Sequence, residues 1–395
     1  MRKTGFAAAM CAVLQLTGCD STADTEAPPT GAAETAPAER AAFQPPSDRL
    51  GGLENGWNVL EPGGDTLCSD GSSYRFFVRP ADPEKLVVYF QGGGACWFGR
   101  NCDPHLDPSY KPAVAEDELA SYRGIFELDN PENPFAGYSF VVAPYCTADV
   151  HLGDNVATYE APAAEEHEAH PVTIHHNGIV NAQAVLEWTF LHFDPADIFV
   201  TGSSAGAIPS PYYAWKIAEH YPDARIAQLG DGAGGYRRSG DTNLARMEQW
   251  GTMSHLRQYP EFAEMPMSEF AYEHLYVTAA KRFPDITFAE YDAAEDAVQK
   301  RFLAMGGSNT TTLLELLLAN HADVRAEVEN FRTYIAGGDS HTVLARPEFY
   351  TFQVNGRRVR DWVADLAAFR DVENVACEPC DVAEVTPGAD AEGGH

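Results

Sequence analysis

From about Gly51 onward, short apolar runs alternate with longer stretches whose apolar residues recur at helical spacing. Lys85-Leu86-Val87-Val88-Tyr89-Phe90 is almost unbroken in its apolarity and has the length of a strand, so it predicts a strand covered on both faces. Tyr74–Val78, Tyr138–Pro144, Asp197–Thr201, Ala224–Asp231, Asp285–Tyr291 and Phe331–Ile335 read as further strands. Between them, Asn177–Phe193 places Ile179, Val180, Ala184, Leu186 and Trp188 on a helical repeat. Pro211–His220 and Asn309–Asn330 read as helices too. Strands alternating with helices predict an α/β fold with a mostly parallel central sheet flanked by helices. Residues 236–284 turn helical and rich in Met, Phe, Tyr and His, which predicts a helical cap inserted over the sheet.

The ends of the chain have a different character. Met1-Arg2-Lys3 is basic, Phe6–Leu16 is apolar but too short to span a bilayer, and Leu16-Thr17-Gly18-Cys19 resembles the lipobox of bacterial lipoproteins. Residues 1–18 are therefore expected to be a signal peptide and Cys19 the lipidated first residue. Residues 19–48, rich in Ala, Pro, Thr and Glu, read as a disordered tether, 49–385 as the folded domain, and 386–395 as a loose tail. The expected location is exported and lipid-anchored in the bacterial cell envelope, on the periplasmic or cell-surface side, with the membrane reached through that N-terminal lipid. A formal charge of −31 argues against a nucleic-acid partner and reads as a solubilising surface.

Six cysteines remain after Cys11 and Cys19: Cys68, Cys96, Cys102, Cys146, Cys377 and Cys380. An even number in an exported chain predicts disulfides, with fifteen connectivities open if all six pair. Cys377-Glu378-Pro379-Cys380 reads as a local structural disulfide, against a redox pair or half of a metal site.

The chemistry centres on Gly202-Ser203-Ser204-Ala205-Gly206, a G-x-S-x-G pattern between a predicted strand and a predicted helix. There the small residues permit a sharp turn that exposes the serine hydroxyl and leaves the next N–H, that of Ala205, to bind an oxyanion. A serine needs a base and the base needs an orienting acid; in α/β-hydrolases they follow in the order Ser, Asp or Glu, His. Asp292 sits at the C-terminal end of the 285–291 strand, just past Tyr291, and His341 follows the last one, both at strand ends where α/β folds bind ligands. Asp231, Asp296 and Asp339 are rival acids, and His255, His274 and His321 rival bases. Gln91-Gly92-Gly93-Gly94-Ala95-Cys96-Trp97, directly after the 85–90 strand, suits an oxyanion loop with N–H donors at Gly92 or Gly93; it lacks the Lys and Ser/Thr of a phosphate-binding loop. Glu165-Glu166-His167-Glu168-Ala169-His170 and His175-His176 miss the H-E-x-x-H spacing of a zinc site and read as a solvated acidic loop ahead of a helix.

Taken together these pieces resemble the pectin acetylesterase family, which has the Notum carboxylesterase as an animal relative. The resemblance runs through Cys68-Ser69-Asp70-Gly71-Ser72, Gly92–Trp97 with Asn101-Cys102-Asp103, and Pro144–Gly153. It continues through the 202–206 elbow, Ala289-Glu290-Tyr291-Asp292 and Gly338-Asp339-Ser340-His341-Thr342, covering roughly residues 50–350. It implies an α/β-hydrolase-like esterase with Ser204 as nucleophile, His341 as base and Asp292 as its orienter. It implies oxyanion donors at Gly92 or Gly93 and Ala205, disulfides Cys68–Cys146 and Cys96–Cys102, and Cys377 left to pair with Cys380. The reaction implied is two-step ester hydrolysis of an ester substrate, such as an acetylated polysaccharide, with no metal or organic cofactor. Because de-esterified pectin is a polyanion, a −31 chain makes pectin itself an awkward substrate. The alternatives are a deacylase, thioesterase or polyester depolymerase on the same scaffold, a catalytically silent glycan-binding lipoprotein, or a redox or metal protein built on Cys377/Cys380 or His167–His176.

Overall fold

The central sheet is built in chain order from β1 (Asn58–Leu60), β2 (Phe76–Arg79), β3 (Asp82–Phe90) and β4 (Tyr138–Ala143). After a separate hairpin of β5 (Asn155–Ala161) and β6 (His170–His176) it resumes with β7 (Asp197–Ser203), β8 (Arg225–Asp231), β9 (Thr287–Ala293) and β10 (Phe331–Ala336). Two short strands, β11 (Phe352–Val354) and β12 (Arg357–Arg358), precede the sheet's last strand, β13 (Val375–Ala376), and pair with β14 (Glu384–Val385) in a small sheet of their own. The computed structural model describes residues 52–164, 168–236, 241–308 and 312–386. The export signal, Cys19, the tether, His167 and the tail beyond Thr386 lie outside the described residues.

The strand order is β1-β2-β4-β3-β7-β8-β9-β10-β13. Only β1 and β2 run antiparallel to their neighbours; from β4 to β13 every pairing is parallel. The fold is thus the expected α/β class, an α/β-hydrolase-like arrangement with a mostly parallel sheet. The apolar run of β3 shows why both faces must be covered. Leu86, Val88 and Phe90 enter one core, with Ile179 and Leu186 of α2 (Gly178–His192), reached after the single turn α1 (Gly99–Cys102), and Tyr213 and Ile217 of α3 (Ser210–His220). Val87 and Tyr89 enter the opposite core, with Val359, Trp362 and Val363 near the chain's end. Alternate residues of one strand therefore close two apolar layers, which is what holds β3 beside β7 at the centre.

Several elements depart from the sequence expectation. Of the stretch read as a solvated loop, His170, His175 and His176 lie in β6, which pairs with β5 from Asn155–His176 to Ala161–His170. His176 within it is a buried core residue, bonded to Thr147 O (3.0 Å) and Tyr159 OH (2.7 Å), and burial pushes its pKa down to about 4. His170 faces Asp103 instead (3.2 Å), so the described histidines here do not converge as a metal site. Among its described residues the 236–284 segment holds four helices, α4 (Asp241–Trp250), α5 (Met253–Leu256), α6 (Pro260–Ala263) and α7 (Glu273–Arg282). The last of these lies on the sheet, where Tyr276 OH reaches Gln228 of β8 and Ala289 of β9. Then come α8 (Ala297–Met305), α9 (Leu313–Glu327) and, past the expected last strand, α10 (Val359–Ala367) with Trp362.

All six domain cysteines pair, as Cys68–Cys146, Cys96–Cys102 and Cys377–Cys380. Three disulfides mark a protein of an oxidising, extracytoplasmic compartment. Cys377–Cys380 leaves neither thiol for redox or metal duty in this state. On chain-entropy grounds a bridge closing 78 residues stabilises by about 4–5 kcal/mol and one closing 3 by about 1.5. Thermal unfolding of Cys68→Ala/Cys146→Ala should accordingly show the larger loss of Tm than Cys377→Ala/Cys380→Ala; equal losses would contradict the ranking.

Candidate active site

Ser204 stands where β7 turns into α3 and has φ of 54°, a left-handed conformation rare outside glycine. The turn is possible only because its flanks lack side chains. A Cβ on Gly206 would lie 2.0 Å from Phe90 O at the end of β3, and one on Gly202 would lie 2.2 Å from Gly206 O. Ala205 occupies the first turn of a short 3-10 helix, a position whose N–H has no acceptor within the helix. The expected oxyanion loop arrives from β3: a Cβ on Gly92 would meet Ser203 O at 2.4 Å and Ser204 Cβ at 2.8 Å. The Gly92 backbone is therefore pressed against the serine, while Gly93 packs on the Tyr145 ring. The N–H groups of Gly92 and Gly93 enter none of the loop hydrogen bonds.

The loop itself is clamped. Gln91 N donates to Ala143 O, and its side chain accepts from Tyr145 N and donates to Glu118 and Tyr122. Ala95 N reaches Ser109 O, Cys96 N reaches Ala148 O, and the Cys96–Cys102 bridge closes the far end. His151 Nε2–H donates to Gln91 O at 2.8 Å, and burial holds that ring neutral by lowering its pKa to about 4.

His341 follows β10 and its Nδ1 lies 2.7 Å from Asp296 Oδ2, so the carboxylate, an acceptor only, places the proton on Nδ1. Here the sequence expectation needs correction: the acid beside His341 is Asp296, one of the rivals, and not Asp292. Asp296 is fully buried and caps α8, its Oδ1 accepting from Val298 N and Gln299 N, both at 2.9 Å. Its place follows from the strand ending two residues later than the sequence suggested, at Ala293, with a short loop carrying the chain back under His341. Asp292 stays within β9 and bonds to Gly234 N (2.9 Å) and Gln299 Nε2 (2.8 Å). The sequence did carry a signal for Asp296: Asp-x-x-Gln before an apolar helical stretch is the pattern of a helix N-cap.

Of the other rivals, Asp231 is a brace. At the end of β8 its carboxylate accepts from Ser203 Oγ (2.7 Å), Val343 N (2.9 Å) and Leu344 N (3.0 Å). It thereby ties the residue before Ser204 to the loop that carries His341. Burial pushes its pKa up to about 6, against the pull of these donors. His255 pairs with Asp154, and His321 lies buried beside Glu290 and Asp292.

A pocket of about 60 Å³ opens over Ser204 and Ala205, walled by Gly94, Ala95, Trp97, Trp250, Tyr272 and Phe302. Arg246 of α4 is the one charged residue among its described lining, stacked 4.0 Å from the Trp97 ring. Of the helices in 236–284, α4 thus borders this pocket, through Arg246 and Trp250.

A model of the pectinacetylesterase family matches residues 60–256. The fold is similar to the solved structure of the Wnt deacylase Notum from Drosophila, with a TM-score of 0.53, 15% identity, and 78% of this chain and 93% of that one covered. No curated protein sequence matches this one. The geometry distinguishes the two acids sharply: Asp296→Asn should lower kcat for p-nitrophenyl acetate by on the order of 10³-fold or more. Asp292→Asn, two hydrogen bonds further out through Gln299, should cost less than about tenfold. Steady-state kinetics giving the reverse ranking would remove Asp296 from the role.

Proposed function

From a chain that belongs to the pectinacetylesterase family through residues 60–256, we infer a serine carboxylic-ester hydrolase that removes short acyl groups, acetyl above all, from an O-acetylated glycan or similar ester. One observation carries the reading. A serine in a left-handed elbow faces a small pocket, and a histidine held through Nδ1 by a buried carboxylate belongs to the same braced network.

In this reading His341 Nε2 takes the Ser204 proton as Oγ attacks the ester carbonyl, and Asp296 stabilises the imidazolium that forms. The N–H groups of Ala205 and of Gly92 or Gly93 receive the oxyanion, each such donor contributing about 3 kcal/mol to the barrier reduction. The protonated alcohol leaves, and water then attacks the acyl-serine with His341 again as base. None of these steps calls for a metal or an organic cofactor. Pocket size supports a small acyl group, since about 60 Å³ falls far below the roughly 300 Å³ at which sites for larger ligands begin. Arg246 supports an oxygen-rich alcohol part by setting one cationic hydrogen-bond donor in an otherwise uncharged described lining. We further propose that Cys19 carries a lipid that tethers the domain to the cell envelope, supported by the lipobox-like Leu16–Cys19 and by the three disulfides.

Hydrolysis of p-nitrophenyl acetate, butyrate and octanoate tests the reading. Turnover should fall with chain length and drop at least about 10⁴-fold in Ser204→Ala. Rising activity toward octanoate would replace the acetylesterase with a long-chain deacylase, and activity independent of Ser204 would end the serine mechanism.

A further inference from the structure

Across the Gln299 side chain from Asp296 lies a second polar cluster: Glu290 and Asp292 of β9 and His321 of α9. Its members sit deep in the protein, 6%, 0% and 0% exposed. His321 Nε2 is 3.1 Å from Glu290 Oε2 and 3.7 Å from Asp292 Oδ2, and one donor atom from each residue falls within 4.8 Å of the other two. Yet Glu290 Oε2, Asp292 Oδ2 and both ring nitrogens of His321 make no hydrogen bond. Buried polar atoms are almost always paired, so four orphans in one cluster, three of them close together, call for an explanation. Protonating His321 supplies only part of one. An imidazolium would turn its Nε2–H to Glu290 at 3.1 Å, but its Nδ1–H would still have no acceptor.

We propose that Glu290, Asp292 and His321 bind a divalent first-row metal ion, with Zn²⁺ as the favoured occupant. One imidazole nitrogen and two carboxylate oxygens are a zinc-type donor set. Tetrahedral ligands at about 2.0–2.1 Å from Zn²⁺ stand roughly 3.3 Å from one another, and the 3.1 and 3.7 Å separations bracket that value. A dication neutralises both carboxylates and takes up three of the four orphaned atoms at once, leaving Nδ1 for a water. The outer layer is already built: Asp292 Oδ1 is held by Gly234 N and Gln299 Nε2, which turns Oδ2 toward the gap. Asn320, next to His321, donates to Gly234 O and fixes α9 against the same loop. The ion serves the fold. It locks β9 to α9 and touches the triad only through Gln299, whose Nε2 also reaches Asp296 Oδ2 at 3.1 Å.

The test uses the whole protein, purified without chelator from Zn²⁺-supplemented medium. Elemental analysis should find about one zinc per chain, and diffraction at the zinc edge should place an anomalous peak among the three side chains. His321→Gln should lose the ion and melt at lower temperature, while Ser204→Ala should keep it, which separates this site from the esterase reading. Substoichiometric metal, a peak elsewhere such as at His170 and Asp103, or full zinc content in His321→Gln would each overturn the proposal. Should His321→Gln fail to fold, the anomalous map of the unaltered protein decides alone.

Discussion

The close approach of the Ser204 elbow to the end of β3 is the constraint on which the rest of this molecule depends. Gly206 rests on the carbonyl of Phe90, and Gly202 rests on Gly206, at distances no Cβ would tolerate. That contact exists because β3 and β7 are parallel neighbours, paired from Lys85–Asp197 to Phe90–Gly202, in a sheet buried on both faces. With the strands so fixed, the chain leaving β3 has to pass over Ser204, bringing the Gly92 backbone against it. The left-handed φ of Ser204 costs free energy, of order 1–3 kcal/mol for such conformations. It persists because the surrounding contacts leave the backbone no other course.

Around this elbow the protein places buried carboxylates, each with its own set of donors. Asp296 caps α8 while receiving His341, so one oxygen is occupied by the helix and the other is left to orient the base. Asp231 does a different task with the same chemistry, joining the elbow to the histidine loop. Asp149 accepts from Thr147 Oγ1, His151 N and Gly178 N, knitting the chain after β4 to the start of α2. In a chain of formal charge −31, most acids serve only to solvate the surface. These few are distinguished by having been taken out of water and given hydrogen bonds in return.

The pocket combines this rigid floor with a less regular wall. Its floor belongs to the turn between β7 and α3 and to the loop after β3; much of its wall comes from α4, Tyr272 and Phe302. Trp250 joins the two, donating from its indole to Cys96 O in the clamped loop. Arg246 stacks on the Trp97 ring, and among the described residues no carboxylate pairs with it.

Much of this was legible in the sequence because it is encoded by near neighbours. The β3 and β7 strands, the G-x-S-x-G turn between a strand and a helix, the glycine-rich loop and His341 after the last long strand are all statements about residues a few positions apart. The resemblance to a known family supplied the cysteine pairing, which spacing alone left open among fifteen arrangements. The β5–β6 hairpin was hidden because its acidic and histidine-rich segment reads as solvated until His176 is seen packed under Tyr159. The choice between Asp292 and Asp296 was not open to local reasoning either, since both lie at the end of one strand. It was decided where β9 stops, how the chain turns into α8, and which carboxylate then meets a histidine 45 residues further on. That meeting is a property of packing, in which the sheet, the N-cap and the histidine loop fix one another in space, and no stretch of sequence contains all three.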